Sequence, residues 1–149
     1  MPLAQIRFQR GVHLMRHALW LDPWDRQEFA FVSHAHSDHT GKHGRTILSE
    51  GTSRLMRARI GPPEGIEEVL AFGEVRDFQT FRASLLPAGH VLGSAQLFVE
   101  DEVGSLLYTG DFKLRDGLSS EKAVWRPAET LLMETTYGLP QYCFPPSET

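Results

Sequence analysis

His34-Ala35-His36-Ser37-Asp38-His39, directly behind the apolar run Phe29-Ala30-Phe31-Val32, decides the reading of this 149-residue chain. Three imidazoles and a carboxylate fall within six residues, and chance produces such a pattern with odds on the order of one in a thousand. The β-prone run predicts a buried strand, and Thr40-Gly41-Lys42-His43-Gly44 behind the motif reads as loop or first-turn material. His34 and His36 stand two apart, so on an extended segment they point the same way and can grip one ion. Asp38 and His39 follow where the chain must turn, which frees them to face a second ion. Imidazole suits zinc and other first-row metals, and the carboxylate adds an oxygen ligand with compensating charge. A His-rich surface loop with adventitious metal affinity is the competing explanation, and such loops seldom follow a buried strand.

Two further stretches can reach the same place. Pro87-Ala88-Gly89-His90-Val91-Leu92-Gly93-Ser94-Ala95 sets one histidine between glycines after the apolar strand Phe81 to Leu86. His90 can complete a three-histidine set with His34 and His36. Leu106-Leu107-Tyr108-Thr109-Gly110-Asp111-Phe112 reads as a strand that ends in Gly-Asp, leaving the Asp111 carboxylate at the rim of a sheet, where it can bridge two cations. The alternative for Asp111 is a turn or cap on its own backbone.

The order of these ligands resembles the metallo-β-lactamase fold, an α/β architecture whose αββα sandwich carries a two-metal site on the loops after its strands. Pro87 to Ser94, Tyr108-Thr109-Gly110-Asp111-Phe112 and Leu131-Leu132-Met133-Glu134-Thr135-Thr136-Tyr137-Gly138 are similar to the β-CASP branch of RNA 3′-end processing and DNA-repair nucleases. Asp111-Phe112-Lys113-Leu114-Arg115, Tyr137-Gly138-Leu139-Pro140 and Phe144-Pro145-Pro146 look most like the bacterial ligase-associated exonuclease group, also called mRNA 3′-end processing factors. The likeness runs from about Val12 to Pro146.

That resemblance implies a set of roles. His34, His36 and His90 would bind one zinc, Asp38 and His39 the other, and Asp111 would bridge them, with manganese as a possible substitute. Asp38 would also orient the attacking water. Asp22 matches an early aspartate that fixes the ligand loop by hydrogen bonds; from the residues alone it is a cap or turn residue. Glu134 matches the acidic residue that supports a catalytic histidine from further along the chain; from the residues alone it is a carboxylate ending an apolar run.

Family members continue into an inserted nucleic-acid-clamping domain and then return to finish the core. Here no histidine follows His90. Residues 1–138 are therefore expected to form the amino-terminal part of a metallo-β-lactamase domain and 139–149 the start of a linker. A truncated gene product, or one that assembles with a separately encoded carboxy-terminal half, is the matching expectation.

Hydrophobic content of 41% with 10% aromatic residues can fill an ordinary core in one domain. No run reaches transmembrane length, and Arg7 and Arg10 are not followed by an apolar stretch with a small-residue cleavage site, so a cytoplasmic, membrane-free protein is expected. Cys143 stands alone, which excludes an internal disulfide framework. The net charge of −4 is unevenly placed: residues 1–60 hold nine Lys and Arg against five Asp and Glu, and the remainder six against fourteen. Lys42 and Arg45 follow the metal loop. Arg54, Arg57 and Arg59 fall on a predicted helix from Thr52 to Ile60, capped by Thr52 or Ser53. Lys42, Arg45, Arg54 and Arg57 are thus the candidates for holding phosphates, the alternative being a solvated helix face.

Elsewhere Val12-His13-Leu14 and Ala18 to Leu21 read as an opening hairpin, Thr46-Ile47-Leu48 as a strand, and Glu67 to Phe72 as either helix or strand. Ser94 to Glu100 and Gly104 to Tyr108 flank the acidic turn Glu100-Asp101-Glu102 and predict a second hairpin. The function expected is phosphodiester hydrolysis of single-stranded DNA or RNA, with a DNA ligase or helicase as a physical partner. A thioester or lactone hydrolase and a non-catalytic zinc-binding fragment are the other classes.

Overall fold

The computed structural model describes residues 5–145, which form two β-sheets and one α-helix. In chain order these are β1 (Ile6–Phe8), β2 (Val12–Leu14), β3 (Leu19–Leu21), β4 (Phe29–Phe31), β5 (Arg45–Ser49), α1 (Glu50–Ile60), β6 (Ile66–Leu70), β7 (Val75–Asp77), β8 (Arg82–Pro87), β9 (Ala95–Asp101), β10 (Gly104–Tyr108) and β11 (Thr130–Leu132). The first sheet has the order β1-β2-β3-β4-β5-β6 and the second β11-β10-β9-β8-β7. Antiparallel pairing runs from β1 to β3, parallel pairing from β3 to β6. The second sheet is antiparallel except for the β10–β11 pair.

Alternation along the strands packs the two sheets face to face. Leu21, Phe31 and Ile47 stand opposite one another across three neighbouring strands and are fully buried. Ala83, Leu85, Leu97, Val99 and Leu106 answer them from the second sheet in one continuous core. Burying each large side chain of this kind stabilises the fold by about 2 kcal/mol. Met56 and Leu55 of α1 cover the outer face of the first sheet, where Val32, Leu48 and Val69 receive them. Extended chain over residues 112–129, not a helix, lies on the outer face of the second sheet: Arg126 stacks 3.9 Å from the Phe98 ring centroid, and the Gln96 amide donates to the carbonyls of Pro87 and Val124.

Several boundaries differ from those read in the sequence. Helix α1 starts at Glu50, two residues earlier than expected, because Ser49 is the residue whose hydroxyl accepts the Thr52 amide at 3.1 Å. Thr52 and Ser53, the expected caps, are buried inside the first turns, where the Thr52 hydroxyl donates to the Gly93 carbonyl. The ambiguous segment from Glu67 is a strand, β6, paired in parallel with β5. The second hairpin turns one residue later than the acidic triplet suggested. Asp101 belongs to β9, and its Oδ1 accepts the Val103 and Gly104 amides, which closes the turn. Residues 139–145 carry no strand or helix, and 146–149, the end of the segment expected as a linker start, lie outside the described residues. Among the described residues no helix is long and apolar enough to cross a membrane.

Candidate metal centre

The ends of β4, β8 and β10 and the loops that follow them converge at one rim of the sandwich. His34 leaves the end of β4 fully buried, whereas His36 two residues on is exposed. His34 Nε2 lies 2.9 Å from His36 Nδ1, which in turn is 3.3 Å from His90 Nε2. Donors held about 2.05 Å from a tetrahedral zinc ion stand about 3.3 Å apart, so these nitrogens have the spacing of ligands to one ion. His34, His39 and Asp111 form a second group, and in each group the candidate ligand atoms lie within 4.8 Å of one another. Asp111 faces both groups: Oδ2 is 3.9 Å from His34 Nε2 and 3.8 Å from His90 Nε2, while Oδ1 is 3.7 Å from His39 Nε2. These clusters could hold metal ions. Asp38 belongs to neither; its carboxylate is largely exposed and stands 3.6 Å from His39 Nε2.

Electrostatics keep most of the site ready to ligate. Burial, reinforced by the neighbouring imidazoles, pushes the His34 pKa down to about 3, so its ring is neutral at physiological pH. Burial also lowers His90. In His39 burial acts downward too, but Asp22, Asp111 and Asp38 outweigh it and raise its pKa. Burial raises the Asp111 carboxyl, with His39 and His90 opposing.

Asp22 supports the centre from below. It sits just past β3 in the left-handed region (φ 43°), a conformation aspartate tolerates better than most residues. Its Oδ1 accepts the Ser33 amide at 2.8 Å, and its Oδ2 accepts the Tyr108 hydroxyl at 2.9 Å and lies 3.1 Å from His39 Nδ1. Glu134 lies at the opposite edge. Its carboxylate accepts the Thr136 amide at 3.0 Å and the Phe112 amide at 3.5 Å, and its own amide donates to the Thr109 hydroxyl. Burial would raise the Glu134 pKa, and these hydrogen bonds with the nearby His90 bring it below the usual value instead.

Sequence reasoning passed over three supports. The Ser33 hydroxyl lies 2.9 Å from His34 Nδ1, the Ser94 hydroxyl accepts the His90 and Val91 amides, and Tyr108 holds Asp22. Ser33 adjoins the first motif and Ser94 and Tyr108 lie within the other two, but a hydroxyl near a ligand has no spacing signature of its own. The four basic candidates are differently placed from the expectation. Lys42 pairs with Glu64, Arg45 with Glu68, Arg54 with Glu50 and Arg57 with Glu67, so each cation already meets a carboxylate.

No family model matches the chain. Its sequence is 49% identical to a probable DNA ligase of Opitutus terrae over 95% of the chain, 31% to the 5′ exonuclease Apollo of Gallus gallus over 77%, and 29% to the RNase aCSPSF2 of Saccharolobus solfataricus over 72%. The chain spans 14%, 27% and 28% of those three proteins. A crystal structure of a protein of unknown function from Enterococcus faecalis V583 is similar with a TM-score of 0.44 and 21% identity, covering 57% of this chain and 25% of that one. The chain belongs to the metallo-β-lactamase family. Its place within that family is the β-CASP branch.

Proposed function

We propose that this chain carries the metal-binding part of a nuclease that hydrolyses phosphodiesters of single-stranded DNA or RNA. The observation that carries the reading is the pair of adjoining donor groups, His34-His36-His90 and His34-His39-Asp111, with Asp111 facing both. In this reading the chain folds toward an αββα sandwich, and the groups hold two zinc ions, for which manganese can substitute. Divalent cations bound there supply Lewis acidity and bring the pKa of water near neutrality, the chemistry that phosphodiester hydrolysis needs.

The chain's own residues do the rest. His34 and His90 present neutral imidazoles. Asp111 supplies one oxygen toward each group and neutralises charge between them. Asp38, exposed at the edge, is placed to orient a water and accept its proton. Glu134 fixes the peptide of Phe112, directly after Asp111, and so holds the rim of the site. The names of the relatives, a 5′ exonuclease and an RNase among them, support a nucleic-acid substrate, and the probable DNA ligase supports a link to a ligase; a helicase partner and a cytoplasmic location are proposed with it.

The test is cleavage of end-labelled single-stranded DNA and RNA by the purified 149-residue chain with zinc or manganese, with His36→Ala as control. Metal-dependent products absent in the control are expected. Turnover of small thioesters with both nucleic acids untouched would overturn the substrate, and zinc binding without any turnover would leave a non-catalytic metal-binding chain.

A further inference from the structure

The segment from Thr135 to Pro145 contains no charged residue, yet it carries three exposed aromatic rings. Tyr137 is 64% and Phe144 67% exposed, with Tyr142 between them in the chain at 42%. The Tyr142 ring centroid stands 5.4 Å and that of Phe144 5.2 Å from Tyr137, both edge-on. Edge-to-face contacts of this kind hold the rings against one another while leaving faces open to solvent. The segment is also tied to the metal centre. The Glu134 carboxylate takes the Thr136 amide on one side and the Phe112 amide, next to Asp111, on the other.

Two cations complete the surface. Lys113 and Arg115 follow Asp111 by two and four positions, both are exposed, and neither meets a carboxylate among the described residues, unlike Lys42, Arg45, Arg54 and Arg57. The Lys113 amide donates to the Ala88 carbonyl at 2.9 Å, which fixes its backbone beside the His90 loop. A polyanion approaching the metals along this side therefore meets free cations and uncharged rings, where on the helix side it meets cations already neutralised.

We propose that Tyr137, Tyr142 and Phe144 form a stacking platform for the unpaired bases of a single-stranded nucleic acid whose phosphates are held by Lys113 and Arg115. The inference rests on the nuclease reading and deepens it by naming the strand-binding surface. Stacking on aromatic faces is tolerant of base identity, because every base has a π-face, while lysine and arginine track the backbone. The platform thus selects single strands over duplexes without selecting sequence.

Fluorescence anisotropy in EDTA, where no hydrolysis takes place, tests it. The probes are a labelled oligothymidylate and an abasic deoxyribose-phosphate oligomer of equal length. The oligothymidylate is expected to bind about tenfold or more tightly than the abasic oligomer, and Tyr137→Ala or Phe144→Ala to remove about tenfold for the former alone. Tyr137→Phe, which keeps the ring, should restore binding. Lys113→Ala and Arg115→Ala should weaken both probes and each reduce the salt slope of binding by about 0.7. Equal affinity for the two probes, no binding of either, or unchanged affinity in Tyr137→Ala would overturn the proposal. So would sedimentation showing that the rings are buried in a dimer that Tyr137→Ala dissociates without loss of affinity. Failure of the nuclease reading shows separately, as base-dependent binding in EDTA with no cleavage once metal is restored.

Discussion

Tyr108 and Asp22 lie 86 positions apart in the chain and meet at 2.9 Å, the phenol of one sheet donating to the carboxylate at the end of a strand in the other. The bond clamps the two sheets under the candidate metal centre, because Asp22 also accepts the Ser33 amide and faces His39. Burial and the facing carboxylate raise the Tyr108 pKa far above its ordinary value, so the hydroxyl always donates. Tyr108→Phe removes that donor and leaves the buried Asp22 oxygen with less compensation. A loss of about 2 kcal/mol in urea unfolding is expected, together with a severalfold or greater weakening of zinc binding in a chelator competition. Zinc affinity equal to that of the unsubstituted chain would show that Asp22 does not orient the ligand loop.

Ser49 does two jobs at the start of α1. Its hydroxyl oxygen accepts the Thr52 amide at 3.1 Å, and its proton goes to the Gly93 carbonyl at 2.5 Å, in the loop that carries His90. Ser49→Ala therefore uncaps the helix and removes one of the two hydroxyl donors to the buried Gly93 carbonyl, leaving it the Thr52 hydroxyl alone. A cost of about 2 kcal/mol is expected by chemical denaturation, against about 1 kcal/mol for a cap alone. A loss well under 1 kcal/mol would mean that the Ser49 hydroxyl holds neither the helix start nor the Gly93 loop.

The parts of the fold that the sequence foretold are those with strong local signals. The acidic turn between them made β9 and β10 legible, and the apolar run Phe29-Ala30-Phe31-Val32 directly ahead of the histidine motif made β4 legible. β6 resisted because Ile66-Glu67-Glu68-Val69-Leu70 has neither period; its glutamates are tolerated in a strand because Arg57, Arg45 and Arg76 meet them from other segments. The same long-range pairing hid the fate of the basic residues. A count of charge sees Lys42 and Arg57, but not Glu64 and Glu67, which neutralise them from the loop and strand beyond α1. The ligand set was the most legible feature, because a metal needs particular side chains and those are rare in such spacing. What the motif could not convey is that His34 stands in both donor groups while Asp38 stays at the edge.

Gly93 is where α1 meets the His90 loop. Its φ is 75°, and a Cβ placed there would stand 2.6 Å from the Thr52 amide nitrogen and 2.7 Å from the Gly51 Cα. Both neighbours are backbone in the first turns of the helix and cannot step aside. Gly93→Ala is expected to cost about 3 kcal/mol, combining left-handed strain with overpacking, and to displace His90 enough to weaken zinc binding. Thermal melts and the chelator competition check the two effects independently. A variant as stable as the unsubstituted chain would show that helix and loop can part at no cost.

At the far end of β9, buried His17 joins Thr80 and Asp101, with ring nitrogens 3.2 Å from the Thr80 hydroxyl and 3.1 Å from the Asp101 carboxylate. Burial lowers the His17 pKa below 6.5 even though Asp101 pulls the other way. A histidine of this kind binds fewer protons folded than unfolded, so its contribution is complete above 6.5 and declines as the pH falls from there toward its folded value. His13, His34, His43 and His90 share that direction, each lowered chiefly by burial, whereas His39, raised by its three aspartates, stabilises the fold on the acid side. Four lowered histidines and His17 outweigh one raised, and metal-free stability should therefore fall between pH 7 and pH 5. Each fully neutral buried histidine adds a slope of up to about 1.4 kcal/mol per pH unit. Urea unfolding in EDTA at pH 7, 6 and 5 measures the fall. His17→Gln, which keeps a hydrogen-bonding side chain but cannot titrate, should flatten it, and an unchanged slope in that variant would place the sensitivity in the other histidines alone.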